Sequence, residues 1–407
     1  MKLVYLADIR FPMERANGIQ TIETCHALAR RGVEVELVVR RTDARTDAEC
    51  LAYFGLEPHP KLKLRRVRAR GLLGFLLRAA PLMLASKAGD ILYTRDLILA
   101  ELGTKLADAA LVYEAHTVAS VFAEERGRMY EDGAPPTPRK LARLDAREKR
   151  VFQNATGIVT ITAALLEVLE TRHGAIANSL IAPDGCRASG PMRPAASSGK
   201  VVMYIGQLYP WKGVDVLVRA MLSVPRGELV IVGGLPPEPD LERVKRLAAE
   251  LGLEERVHFR GFVAPPELDA EKRQASVFVI PNLDSTTARL FTSPLKLFES
   301  MACGRPIVAS DLPSIREVLE DGANALLVPP GDASALAGAI TKLLSEPELA
   351  ERLASRAFED VKAYSWDRRA ERIEKFLRTI PMRGISSVEG HASGHSEHAA
   401  EHAARRE

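Results

Sequence analysis

The stretch CRASGPMRPAASSGKVVMYIGQLYPWKG, residues 186–213, cuts the chain into two halves of one kind. Its first part is rich in Gly, Pro, Ala and Ser and has no apolar periodicity. That reads as an interdomain linker, placed at 188–199. VVMYIG is a short apolar run ended by glycine, and a helical pattern follows it. This is a buried strand opening a βα unit. Working backward, the same unit recurs, with strands expected at 2–8, 33–40, 62–68, 90–94, 111–116, 157–162 and 179–183. A helix is expected at 18–31 and a charged one around 138–153. Working forward, strands are expected at 201–206, 228–233, 257–262, 276–281, 306–310 and 325–329. Strand and helix in alternation imply parallel sheets buried on both faces. The expected fold is therefore α/β, with two doubly wound, Rossmann-like domains at 1–187 and 200–362. A further helix at 363–381 is expected to cross back to the first domain. The last segment, 382–407, has almost no apolar bulk and reads as a disordered tail. Its His391, His395, His398 and His402 share one helical face, but a solvated tail is the plainer reading.

Composition narrows the function. The 407 residues carry 56 Lys+Arg against 53 Asp+Glu, a net +3 that is too balanced for a dedicated nucleic-acid binder. No apolar run reaches the roughly 18 residues of a spanning helix. The opening MKLVYLAD enters a strand directly and does not resemble a signal peptide. Four scattered cysteines without ligand spacing point to reduced thiols and a cytoplasmic setting.

Ligands of open parallel sheets bind beyond the carboxyl ends of the strands, so the loops there are the candidates. The loop 8–19 has no G-x-G-x-x-G, which counts against NAD or FAD. Gly18 sits at its helix start, where a turn glycine and a ligand-approach glycine are equally good readings. In 206–213 a glycine ends the strand, and Lys212 precedes Gly213 at a helix start. That suits a point charge for phosphate, although a surface lysine would serve as well on this segment alone. The spacing is not a Walker A loop. In 281–299 a polar loop precedes Ser293 and Pro294, a favoured N-cap and first helical residue. The free N–H groups of Leu295, Lys296 and Leu297 would then form an anion site. Glu299 follows, placed for ribose hydroxyls or for a structural contact.

The segments YIGQLYPWKGVDVL (204–217), TSPLKLFESMACGRPIVASDLPSIREVLEDGANALLVPPGD (292–332) and YSWDRRAERI (364–373) resemble glycosyltransferase family 4, as does GIQTIETCHALARRGVEVELV (18–38). The resemblance spans about 1–380. It implies the GT-B fold, two facing Rossmann-like domains. It also implies transfer of a hexose from a nucleotide-diphosphate sugar, UDP- or GDP-linked, with retention at the anomeric carbon. No cofactor and no metal would be required, and no fitting Asp-x-Asp constellation argues for one.

By the same resemblance, His116 and Lys212 are the catalytic residues, His116 lining the reaction centre and Lys212 contacting the donor diphosphate. Gly18, Gln207, Thr292, Ser293, Pro294, Leu295 and Lys296 would surround the diphosphate and sugar. Glu299 would bind the ribose, and Gly233 and Val263 the base. Two positions depart from the pattern: Gln207 replaces a frequent arginine, and Phe291 replaces the first motif glutamate. The acceptor would be a glycan, a lipid-linked molecule or a small molecule. The alternatives are a catalytically silent nucleotide-sugar binder and an epimerase of the same fold. KLKLRRVRAR (61–70) has six basic and no acidic residues, and an apolar run to 85 follows. This stretch is expected either to touch an anionic membrane surface from the cytoplasmic side or to pack as an edge strand and core helix.

Overall fold

A computed structural model describes residues 1–13, 16–129, 135–187, 200–234, 238–293 and 295–381. The linker at 188–199, the tail from 382 with its four histidines, and Pro294 lie outside the described residues.

Seven strands form the first sheet: β1 (Lys2–Phe11), β2 (Glu34–Arg41), β3 (Leu62–Val67), β4 (Asp90–Thr94), β5 (Ala110–Ala115), β6 (Gly157–Thr160) and β7 (Ser179–Ile181). Six form the second: β8 (Val201–Ile205), β9 (Glu228–Val232), β10 (Val257–Gly261), β11 (Val277–Ile280), β12 (Ile307–Ser310) and β13 (Leu326–Val328). Every expected strand is present, with ends shifted by a few residues. The largest shift is in β1, which runs on to Phe11 through an irregularity between Leu6 and Arg10. It takes in residues expected to be loop. The polar loop after β11 also differs from expectation. It contains a short helix, Thr286–Leu290, which the Ser285 hydroxyl caps by accepting from Ala288 N–H at 3.1 Å. The next helix is Leu295–Ala302.

Strand orders are β3-β2-β1-β4-β5-β6-β7 and β10-β9-β8-β11-β12-β13, all parallel. In both sheets the order reverses beside the first strand, between β1 and β4 and between β8 and β11. Such a reversal opens a crevice beyond the strand ends. Both crevices coincide with loops singled out from the sequence.

The last helix, Trp366–Thr379, buries Trp366, Arg369, Ala370, Ile373, Glu374 and Leu377. This i, i+3, i+4, i+7 stripe is that of a one-face helix. It packs on the helix Ala16–Arg30 of the first domain, and its apolar residues join that domain's core. Ser365 caps it, accepting from Arg368 N–H at 3.2 Å.

Candidate active site

Backbone geometry builds the floor of the second crevice. Gly213 adopts φ +64°, and a Cβ there would lie 2.0 Å from the Pro281 carbonyl oxygen. Leu283 N–H donates to the Trp211 carbonyl at 2.8 Å, so the loops after β8 and β11 interlock. Gly233, at φ +128°, would place a Cβ 1.9 Å from the Gly206 carbonyl oxygen. Only glycine fits either position. Lys212 stands on this floor with its Nζ 3.9 Å from the centre of the Trp211 ring. It has no ion pair or side-chain hydrogen bond among the described residues. Burial pushes its ammonium down to about 7. A half-buried cation without a counter-charge among the described residues is suited to an anion.

The other residues expected at the donor already have partners. Gln207 Nε2 donates to Glu238 at 3.2 Å, and the same carboxylate accepts from Leu208 N–H at 2.9 Å. Thr292 Oγ1 donates to the Thr287 carbonyl at 2.7 Å. Ser293 Oγ accepts from Asp184 N–H across the domains at 2.9 Å, and this is where its hydroxyl is engaged instead of at the helix start. Lys296 Nζ, 3.0 Å away, and Lys272 Nζ, 3.1 Å away, clamp Glu299. Burial alone would raise that carboxyl, but the two ammonium groups outweigh it and hold it at about 2. Glu299 is thus a fixed, ionised acceptor, and Lys296 serves it. Val263 lies just past β10, half-buried against the second domain's core. Gly18 is buried in its helix, where a Cβ would meet the Met13 carbonyl oxygen at 2.9 Å.

The first crevice holds a knot of charges. Glu114, fully buried in β5, accepts from Gln20 Nε2 (2.6 Å), Tyr93 Oη (2.5 Å), His116 (2.7 Å) and Arg369 Nη2 (2.6 Å). Arg369 also donates to the Ala182 carbonyl, to the Pro183 carbonyl at 2.9 Å and to Thr24 Oγ1 at 3.2 Å. Arg95 Nη1 donates to Gln20 Oε1 at 2.9 Å. Burial would raise Glu114, yet Arg369 and the His116 bond keep it well below the usual carboxylate range. Burial and then Arg95 lower His116 to about 4, so its ring is neutral at pH 7. Asp184, also buried, is pushed up to about 6 by loss of water, and its Oδ1 has no hydrogen-bond partner. The sequence reading missed Glu114, Arg369 and Arg95. One signal was available: Glu114 is the only acid in the strand ALVYEA, which is otherwise apolar around it.

The two domains grip each other through helix ends. Glu125 of the first accepts from Thr286 N–H (2.6 Å), Thr287 N–H (2.8 Å) and the Thr287 hydroxyl. Glu317 of the second accepts from Ala163 N–H (3.1 Å) and Ala164 N–H (3.2 Å), at the start of the helix Ala163–His173. Each carboxylate thus meets a helix N-terminus of the other domain, where unpaired N–H groups favour negative charge. Phe291 is buried in the first domain's apolar cluster with Leu99, Val118, Ile161 and Leu165. The residue in the motif-glutamate position is therefore an apolar clasp between the domains.

Away from these loops, Asp145, Glu148 and His173 bring three ligand atoms within 4.8 Å of one another. Arg172 donates to Asp145 at 2.8 Å and Ala119 N–H to Glu148 at 2.9 Å, so both acids are in use. The four cysteines are buried free thiols.

Comparison with known proteins agrees with this geometry. Residues 18–182 match the family described as Glycosyltransferase Family 4, and residues 199–346 match Glycosyl transferases group 1. A D-inositol 3-phosphate glycosyltransferase of Nocardia farcinica is 27% identical over 392 residues, covering 87% of this chain and 82% of its own. A phosphatidyl-myo-inositol mannosyltransferase of Mycobacterium leprae is 36% identical over 191 residues, 46% of this chain and 48% of its own. Among solved structures, the sucrose-phosphate synthase of Thermosynechococcus elongatus superposes with TM-score 0.74 at 24% identity, over 93% of this chain and 98% of that one. Anabaena HepE, solved with UDP and glucose, gives TM-score 0.72 at 17% identity, over 93% and 100%. The paired parallel sheets, the crossing C-terminal helix and the two family matches on successive halves lead to one conclusion: the chain is a glycosyltransferase and belongs to glycosyltransferase family 4.

Proposed function

We propose that the chain transfers a hexose from a nucleotide-diphosphate sugar, UDP- or GDP-linked, with retention at the anomeric carbon and without a metal. The observation that carries the reading is Lys212, a cation without a counter-charge among the described residues, at the β8 switch point. In transfer, the bond from the anomeric carbon to the diphosphate oxygen breaks and its electron pair stays on the diphosphate. A preorganised ammonium stabilises that charge most where water is excluded. Glu299, kept ionised by two lysines, supplies a fixed acceptor for ribose hydroxyls. Gly233 and Val263 border the side on which a base would lie. The acceptor enters from the first domain, past His116. Relatives named for inositol phosphate and phosphatidylinositol acceptors make these the first to try, ahead of other glycan and lipid-linked ones.

Thermal unfolding with UDP, GDP and ADP tests the donor side, because a ligand that binds only the native state raises its stability. The matching nucleotide is expected to raise Tm. No shift with any of the three, together with no release of nucleoside diphosphate from a donor panel, overturns the reading.

A second observation supports work at a membrane surface. In the helix Gly71–Leu84, Leu73, Leu77 and Leu84 are 71%, 67% and 64% exposed. Arg65 and Arg66 are paired with Glu36 and Asp47, but Arg68, Arg70 and Arg78 are exposed and carry no ion pair among the described residues. Free cations beside an unpartnered leucine face suit an anionic lipid headgroup layer. Among the described residues no helix is long and apolar enough to cross a membrane. Co-sedimentation with anionic vesicles is expected, weakened by Leu73→Ser with Leu77→Ser. Equal recovery with neutral and anionic vesicles counts against it.

A further inference from the structure

The C-terminal helix carries buried charges into the first domain, and one of them, Arg369, is linked through a single residue to the ring expected to face the substrate. Arg369 and Glu114 meet at 2.6 Å with both side chains shielded from solvent. The same Glu114 oxygen, Oε1, is 2.7 Å from His116 Nε2. An ionised carboxylate can only accept, so the neutral imidazole must place its proton on Nε2. The other nitrogen, Nδ1, then keeps its lone pair.

We propose that Arg369 is a positioning residue for His116: by holding Glu114 as an ionised acceptor it fixes the ring in the Nε2-protonated form, and Nδ1 accepts a hydrogen bond from a substrate hydroxyl. The proposal rests on His116 lining the reaction centre. It adds the direction of the hydrogen bond and the distant residue that sets it. A substrate group at this point must therefore offer an O–H.

The charged and titratable groups around the pair come from every packed element. Tyr5 lies on β1, Gln20 and Cys25 on the first helix, Tyr93 and Arg95 at β4, Asp184 after β7 and Arg369 on the last helix. Arg95 and Arg369 both disfavour the imidazolium, and Glu114 favours it. Removing Arg369 leaves Glu114 the stronger influence, so His116 protonates at a higher pH. Its Nδ1 then becomes a donor and loses the substrate contact.

Ring-¹⁵N histidine NMR of the full chain reads the tautomer directly, with the His116 signal assigned by its loss in His116→Asn. At pH 7 the expected spectrum has Nε2 protonated and Nδ1 bare. In Arg369→Met the acid limb of kcat/KM is expected to move to higher pH, and in Arg369→Lys it is expected to return toward the parent value. If Arg369→Met does not fold, the ring spectrum of the parent still decides, since it reads the tautomer without any substitution in the pair. An Nδ1-protonated or doubly protonated ring in the parent at pH 7 overturns the proposal. So does an unmoved acid limb in a folded Arg369→Met. The NMR arm reads without turnover, so failure of the donor assignment is seen separately.

Discussion

Arg369 and Lys212 are cations beside the ends of parallel strands, one buried and one half-buried, and they are handled in opposite ways. Arg369 meets a carboxylate, two carbonyls and a hydroxyl. Among the described residues, the Lys212 ammonium meets the face of Trp211 and no counter-charge. In the first crevice Glu114 and Arg369 answer each other from within the chain, beside the neutral ring of His116. In the second, the floor is built to glycine tolerance and Lys212, without a counter-charge among the described residues, is open to a ligand. The lesson is about function: satisfied charges hold geometry, and an unsatisfied one marks where binding energy is waiting.

The sharpest way to break this contrast is to remove the compensated cation. Arg369→Met leaves Glu114 buried without its counter-charge, with an expected loss of about 3–5 kcal/mol in urea unfolding. A loss below about 1 kcal/mol would mean that water reaches the knot. Removing the uncompensated cation should do the reverse. Lys212→Ala is expected to lower transfer at least about tenfold while unfolding close to the parent, because no internal partner is stranded. Near-parent turnover would move the phosphate site elsewhere.

Protonation offers a third, more graded probe. The Lys212 ammonium is lowered to about 7 in the free protein, and a bound diphosphate restores it upward. Nucleotide binding therefore takes up a proton above pH 7, and affinity falls by up to about tenfold per pH unit there. Calorimetry in buffers of different ionisation enthalpy measures that uptake; Lys212→Ala should abolish it. The smallest effects belong to the contacts that join the two regions. Glu125→Ala and Glu317→Ala each remove a helix-end acceptor, worth about 1 kcal/mol apiece. The two losses should add, since the sites share no partner. Small-angle scattering of the double variant should show a larger radius of gyration than the parent. An unchanged radius would assign domain closure to Phe291 and its apolar neighbours instead.

The fold was legible because most strands are apolar runs ended by glycine, proline or a polar cluster, the half-basic β3 (LKLRRV) being an exception. A parallel sheet buried on both faces requires that pattern. Lys212 and Gly213 were legible for the same reason, being local to a strand end. What was not legible depends on chain segments far apart. Nothing in YSWDRRAERI distinguishes Arg369 from its exposed neighbour Arg368; only the helix's rotation against the first domain does so. Glu299 was read as a carboxylate for ribose or for a structural contact, and its tie to Lys272 was hidden because that lysine is 27 positions away in sequence and 3.1 Å away in space. Phe291 was read as a missing glutamate; its partners lie in the other domain.

The crossing helix also orders events in time. A ribosome exposes β7, the last strand of the first sheet, roughly 190 residues before it exposes Arg369. At about 5–20 residues per second, the first domain waits on the order of ten seconds or more with Glu114 unanswered. The charge that completes its reaction centre is among the last to be synthesised. A chain cut before Arg369 therefore holds Glu114 without its counter-charge and, on the proposal above, His116 without its fixed tautomer.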